Sequence, residues 1–219
     1  MRTNHKKLKE IVVFSSGAGS NAEKIISYFK KVSDVCISVV YTNNPAAGVL
    51  KKAKNHGVKT RVFSAQEYQK EVLKELLSIN PAIIVLAGFL WKIPKNYIDN
   101  FPNKIINIHP SLLPKYGGNG MYGNNVFKEV FKNKEELTGI TIHYIDEKFD
   151  TGPIIFQAQV KLLPNDDVTE IANKTRQLEH KFFSAQIHKL IRRKKLSYIL
   201  MVHLEETQGQ EVMGLYLKI

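Results

Sequence analysis

The chain has 219 residues, 43 % of them hydrophobic and 24 % charged, and a formal net charge of +12. Those proportions exclude a wholly disordered chain, and the length suits one large domain with a substantial core. No apolar run approaches the roughly 20 residues that span a bilayer, and the single cysteine, Cys36, excludes an internal disulfide and a cysteine-built zinc site. Cys36 sits in the apolar run Val35–Val40 and is expected to be a buried structural thiol. The start, Met1 to Glu10, is basic without a following signal-type segment, so a cytoplasmic protein is expected. The positive charge favours anionic ligands. Its lysines are scattered, and the densest run, Arg192 to Lys195, has no interleaved aromatics, which argues for a solvated surface and an acidic small molecule rather than nucleic acid.

Ile11–Phe14 is a short apolar strand, followed by the glycine loop Ser15-Ser16-Gly17-Ala18-Gly19-Ser20-Asn21 and a helical pattern from Ala22 to about Lys31. Glycines permit close backbone approach, and the amides at the following helix N-terminus favour a phosphate or carboxylate. The string also fits the loose dinucleotide fingerprint G-x-G-x-x-A. The next strand, Val35 to Tyr41, ends in Thr42-Asn43-Asn44-Pro45, without the acid that would hold a dinucleotide ribose. The phosphate of a different ligand, or a structural tight turn, remains. A helix over Ala46–His56 closed by Gly57, a strand over Val58–Phe63, a helix over Glu67–Ile79 and a buried-type strand over Ala82–Ala87 follow. This alternation predicts a parallel sheet covered on both faces, with ligands at the carboxyl ends of its strands.

In the stretch Lys104 to Pro114 an apolar strand runs into a loop bounded by prolines. Alternate side chains of a strand share a face, so Asn107 and His109 project together while Ile106 and Ile108 point into a core. An amide donor beside an imidazole is a pairing suited to proton chemistry, although a strand end that merely satisfies loop carbonyls would look the same. Lys115–Asn125 is dense in glycine and suggests a mobile cover, with a short helix after it over Val126–Lys132. Two strands, Ile140–Tyr144 and Ile154–Val160, flank an acidic loop and are expected to pair antiparallel. Asp166 or Asp167 caps a long helix to about Arg193. Leu196–Ile219 gives no clear pattern.

Four ordered signatures now stand together: Ser16-Gly17-Ala18-Gly19-Ser20-Asn21, Leu86-Ala87-Gly88-Phe89-Leu90, Asn107-Ile108-His109-Pro110-Ser111-Leu112-Leu113-Pro114, and Asp150-Thr151-Gly152-Pro153-Ile154. From roughly Ile11 to Leu190 the chain resembles the phosphoribosylglycinamide formyltransferases, folate-dependent enzymes of purine (IMP) synthesis. The resemblance implies an α/β, Rossmann-like formyltransferase fold with a mostly parallel central sheet flanked by helices and an antiparallel C-terminal portion. It implies one domain over 1–219, with a phosphate-binding half over 1–100, a catalytic and folate-binding half over 101–195 and a tail over 196–219.

The implied reaction moves a formyl group from 10-formyltetrahydrofolate, a co-substrate, to the amine of glycinamide ribonucleotide, without a metal. In it Asn107 hydrogen-bonds the developing oxyanion, a protonated His109 stabilises it, and Asp150 pairs with His109. Gly19, Ser20 and Asn21 hold the ribonucleotide phosphate and Glu179 the ribose hydroxyls. The folate pocket is implied at Phe89, Leu90, Trp91 and Ile93, together with the loop residues Ile145, Asp146, Glu147 and Phe149. Trp91 stands where many relatives carry an arginine facing the folate glutamate, and Lys92 is the stand-in. The glycine-rich loop 117–123 lacks histidines that some members have and receives no catalytic role. The implied partners are the two small molecules, with no nucleic acid and no membrane, and with a homodimer allowed.

His143, alternating within a strand, reads as a satisfied core histidine, and His180 as structural. His5, His56, His188 and His203 have no constellation around them. Two rivals share the Asn107 block. Methionyl-tRNA formyltransferase is expected to need a further C-terminal domain, and formyltetrahydrofolate deformylase an N-terminal one. A noncatalytic folate- or nucleotide-binding module would not need Asn107, His109 and Asp150 together.

Overall fold

The computed structural model describes residues 8–192. The expectations for His5, His203 and the 196–219 tail lie outside the described residues. Seven strands form one sheet: β1 (Lys9–Phe14), β2 (Val35–Thr42), β3 (Thr60–Val62), β4 (Ile83–Leu86), β5 (Ile105–His109), β6 (Leu137–Tyr144) and β7 (Ile154–Lys161). Their spatial order is β3-β2-β1-β4-β5-β6-β7. The first five pair in parallel, while β6 runs antiparallel to both β5 and β7. The strand order reverses between β1 and β4, and a crevice at such a switch point is where open α/β sheets bind ligands.

Seven helices flank the sheet: α1 (Ser20–Phe29), α2 (Gly48–Asn55), α3 (Ala65–Gln69), α4 (Glu71–Ile79), α5 (Lys95–Asn100), α6 (Asn124–Lys132) and α7 (Val168–Arg192). Strands buried on both faces read as continuous apolar runs. Accordingly Ile11 and Val13 of β1 pack with Ile25 and Phe29 of α1 and Phe183 of α7, while Val12 and Phe14 pack on the opposite face with Tyr41, Tyr68 and Leu76. That second face is aromatic: Phe14 stacks on Tyr41 with ring centroids 4.9 Å apart, and Phe89 meets Phe14 edge-on at 5.2 Å.

Two expected elements differ. The single helix over Glu67–Ile79 is two, broken at Lys70, whose φ of −131° leaves the helical region. Tyr68, Val72 and Leu76 keep a four-residue spacing across the break, so the apolar pattern runs on while the backbone does not. Helix α5 had no sequence signal because it is six residues long and buries only Tyr97. Cys36 is half-buried rather than buried, and burial pushes its thiol pKa up, away from reactivity. Among the described residues no helix is long and apolar enough to cross a membrane.

Candidate active site

Three loops at the carboxyl ends of β1, β2 and β4 are tied together by one hydroxyl. Ser16 Oγ donates to Asn43 Oδ1 at 2.7 Å and accepts from the Leu90 amide at 3.1 Å, and the Ser16 amide donates to Gly88 O at 2.9 Å. Gly19, with φ of 73°, makes the turn into α1, and a Cβ there would lie 2.6 Å from Val49 Cβ. The loop backbone is thus pressed against α2 and leaves the first turn of α1 facing a cavity of about 350 Å³.

Strand β5 delivers Asn107 and His109 to that cavity, and β6 places His143 directly opposite Asn107 in antiparallel register. The loop between β6 and β7 brings Asp150 under both imidazoles: His109 Nδ1 lies 3.5 Å from Asp150 Oδ2, and His143 Nε2 lies 3.6 Å from Asp150 Oδ1. Gly152 lets this loop close, since a Cβ there would collide with the Tyr144 carbonyl. The Gly118 amide donates to Asp150 Oδ2 at 2.9 Å, and His109 Nε2 donates to Tyr116 O at 2.7 Å. The glycine-rich loop 117–123 is expected to have no catalytic role; Gly118 of that loop nevertheless holds Asp150, and Tyr116 just before it holds His109.

These contacts fix the protons. A carbonyl only accepts, so Nε2 of His109 carries hydrogen, and its Nδ1 faces Asp150. By the same reasoning His143 donates from Nδ1 to Tyr144 O at 2.9 Å, and its Nε2 accepts from Asn107 Nδ2 at 3.2 Å. Burial opposes charge on Asp150, yet His143, His109 and the Gly118 amide together hold its carboxyl below the usual range. Burial also pushes His109 below its ordinary value, with Asp150 and the Tyr116 carbonyl pulling the other way. Asp150 thus favours, and burial opposes, the protonated imidazole expected from sequence. His143, read as a core histidine, is indeed fully buried, but it is also part of this cluster.

At the other end, Glu179 on α7 accepts from Asn21 Nδ2 at 2.9 Å. Burial pushes the Glu179 carboxyl above its ordinary value against the pull of the Asn21 amide and of Arg176. Asn21 Oδ1 and Ser15 Oγ, both on residues lining the cavity, are buried and without a hydrogen-bond partner among the described residues. Gly19 and Ser20 line the cavity beside them.

The apolar wall is built from Phe89 and Ile93, which are buried, and from Trp91, whose ring meets Phe63 and Tyr68 edge-on or tilted at 5.9 and 5.7 Å. Leu90 and Phe149 lie on the exposed rim, and both line the cavity together with Ile145 and Asp146. Lys92 Nζ sits 5.9 Å over the Phe149 ring. Glu147 is the exception among the expected folate residues. It lines a separate hollow with Gln69 and Pro94 and pairs with Lys95 at 3.0 Å. Its neighbours Asp146 and Lys148 do line the main cavity. Among the described residues no cluster of three His, Cys, Asp or Glu side chains suits a metal ion.

The geometry can be set against known proteins. Residues 9–187 match the family model described as formyl transferase. A chloroplastic phosphoribosylglycinamide formyltransferase of Arabidopsis thaliana is 32 % identical over 196 residues, covering 83 % of this chain. The chain spans less than two thirds of that plant protein, 65 % of its length. A phosphoribosylglycinamide formyltransferase of Bacillus subtilis is 31 % identical over 84 % of this chain and 95 % of its own. The crystal structure of a phosphoribosylglycinamide formyltransferase from Bacillus halodurans superposes with a TM-score of 0.77 at 31 % identity, covering 87 % of this chain and all of that one.

Proposed function

This chain belongs to the formyl transferase family, and from that premise we propose that it transfers the formyl group of 10-formyltetrahydrofolate to the amine of glycinamide ribonucleotide, a step of de novo purine synthesis. One observation carries the reading. Asn107, hydrogen-bonded to His143, and Asp150, within 3.6 Å of both the His109 and His143 imidazoles, converge at the edge of a cavity whose other end offers a glycine loop and the Asn21–Glu179 pair. A one-carbon transfer between two amines needs both: a proton-moving group at the carbon and a holder for the acceptor.

The folate supplies an activated formyl group, and the apolar wall of Phe89, Trp91 and Ile93 suits its flat heterocycle. Attack by the acceptor amine puts negative charge on the formyl oxygen and positive charge on nitrogen. Asn107 has one amide hydrogen committed to His143, which fixes the side chain, and its second is free to bond the oxygen. A fixed donor of this type is worth about 3 kcal/mol in the transition state. A proton taken from the acceptor amine by Nδ1 of His109 is stabilised by Asp150 3.5 Å away. Asp150 thus favours on His109 the charge that burial opposes. The same proton can then be returned to the leaving folate nitrogen.

Gly19 and Ser20 fit the acceptor phosphate through backbone amides of the α1 N-terminus, which has no side-chain cap. The reaction is read as cytoplasmic. Its test is acceptor-dependent change in folate absorbance when purified protein meets both substrates. Turnover that proceeds equally without glycinamide ribonucleotide would mark a hydrolase and end the assignment.

A further inference from the structure

His109 and Asp150 reach the cavity from different elements, the end of β5 and the loop after β6, so the space between them has to be set by something that touches both. The segment Tyr116–Gly118 does. The Tyr116 carbonyl accepts from His109 Nε2 at 2.7 Å, and two residues further on the Gly118 amide donates to Asp150 Oδ2 at 2.9 Å. Gly117 between them has no room for a side chain, since a Cβ there would lie 2.5 Å from Leu113 Cδ2 and 3.2 Å from Asp150 Cβ. The segment is a backbone strut that bridges the two groups.

The strut starts from a strained residue. Tyr116 has a φ of 57°, in the left-handed region that a residue with a Cβ rarely enters, and such a turn persists only where its surroundings hold it. One carboxylate supplies the hold. Glu135, between α6 and β6, accepts at Oε1 from the Tyr116 hydroxyl at 2.7 Å and from Lys115 Nζ at 2.9 Å. The Tyr116 ring packs against the apolar cluster that includes Val126 and Val130 of α6. Hydrogen bonds from Tyr116 and Lys115 keep the Glu135 carboxyl below its ordinary range, while burial and then Glu135 push the Tyr116 hydroxyl up to about 12. Acceptor and donor therefore keep these roles across neutral pH. Neither Tyr116 nor Glu135 lines the cavity, so what they do for the reaction they do through His109 and Asp150.

We propose that Glu135 is a positioning residue for formyl transfer: through the Tyr116 hydroxyl it holds the left-handed turn from which the strut sets the His109 ring and the Asp150 carboxylate 3.5 Å apart. The inference rests on the reading of those two groups as the proton-moving pair. Lys115 is largely exposed and adds the lesser hold. Without the hydroxyl bond Tyr116 relaxes to an ordinary conformation, and its carbonyl leaves His109 Nε2. The imidazole is then free to turn, and a displacement of about 1 Å at a reacting group costs up to about 10²-fold in rate.

Three substitutions test the assignment: Tyr116→Phe keeps the ring and loses the bond, Glu135→Leu removes the acceptor, and Glu135→Gln keeps an oxygen for the hydroxyl. In steady-state formyl transfer, Tyr116→Phe and Glu135→Leu are each expected to lower kcat about tenfold, with KM for both substrates held and circular dichroism unchanged. Glu135→Gln should restore most of the rate, and the double variant should fall no further than either single one. A second measurement needs no substrate. By nuclear magnetic resonance on protein with isotope-labelled histidine, the His109 Nε2 proton, assigned by its loss in His109→Asn, should exchange with water about tenfold faster in both variants than in the native chain. Lower thermal stability with kcat and exchange unchanged would make the bond a support of the fold alone and overturn the proposal, as would additive losses in the double variant. Faster exchange in a protein that does not transfer formyl groups would support the hold on His109 and overturn the proposed reaction instead.

Discussion

The two ends of the cavity are built on opposite plans. At the catalytic end each of Asn107, His109, His143 and Asp150 is held by another member or by loop backbone, at distances of 2.7 to 3.6 Å. At the acceptor end, side-chain oxygens of Ser15 and Asn21 are buried with no partner among the described residues. An unpaired buried polar atom costs about 1–3 kcal/mol, so a fold that keeps such atoms at one end carries a cost that a ligand removes on binding. Groups that move protons gain from being fixed before the substrate arrives. Groups that recognise a ligand gain from being left open to it. The contrast predicts that substitutions at the first end act on kcat and those at the second on KM.

The largest effect is expected for Asp150→Asn, which removes the charge that stabilises a proton on His109. A loss of about 10²- to 10⁴-fold in kcat is predicted, with circular dichroism unchanged, read by single-turnover formyl transfer. Next comes His143→Phe, which leaves Asn107 Nδ2 and Asp150 Oδ1 without their shared neighbour. Its kcat should fall about 10- to 100-fold, and a double-mutant cycle with Asp150→Asn should show coupling of about 1–3 kcal/mol. Additive losses would return His143 to the core role that its position in the strand suggested.

Asn21→Ala sharpens the contrast from the other side. It is expected to raise acceptor KM about tenfold, the cost of one or two hydrogen bonds, with kcat kept. The smallest effect is on stability. The folded His109 binds its proton more weakly than the unfolded chain does, so below about pH 6.5 the unfolded state takes up a proton that the folded state declines. Stability should fall as pH drops from 7 to 5, and His109→Asn should lessen that fall by a few degrees in Tm. Asp150, whose carboxyl is depressed, adds its own loss only at lower pH, through and below about 3.8.

Much of the frame could be read before the structure because β-strands buried on both faces announce themselves as apolar runs. Ile11–Phe14, Val35–Tyr41 and Ala82–Ala87 each fall within a residue or two of an observed strand. The break at Lys70 could not be read, since apolar spacing records which face is buried and not whether the backbone is continuous. Asn107 and His109 were legible as a pair because alternation alone puts them on one face. His143 was not, because its role depends on which residue of β5 lies opposite it, and antiparallel register is not written in either strand. Glu147 departs for a different reason: a contiguous loop was carried over whole, whereas Glu147 alone of its residues lines the second hollow. The part played by 116–118 is carried by backbone groups of Tyr116 and Gly118, which leave no side-chain signature.

The contrast between the two ends is tested most directly by steady-state kinetics on Asp150→Asn and Asn21→Ala measured side by side with glycinamide ribonucleotide as the varied substrate. The account predicts crossed results: kcat falls in the first with KM little changed, and KM rises in the second with kcat little changed. If both variants move the same parameter, the division between a pre-organised catalytic end and an open acceptor end is wrong.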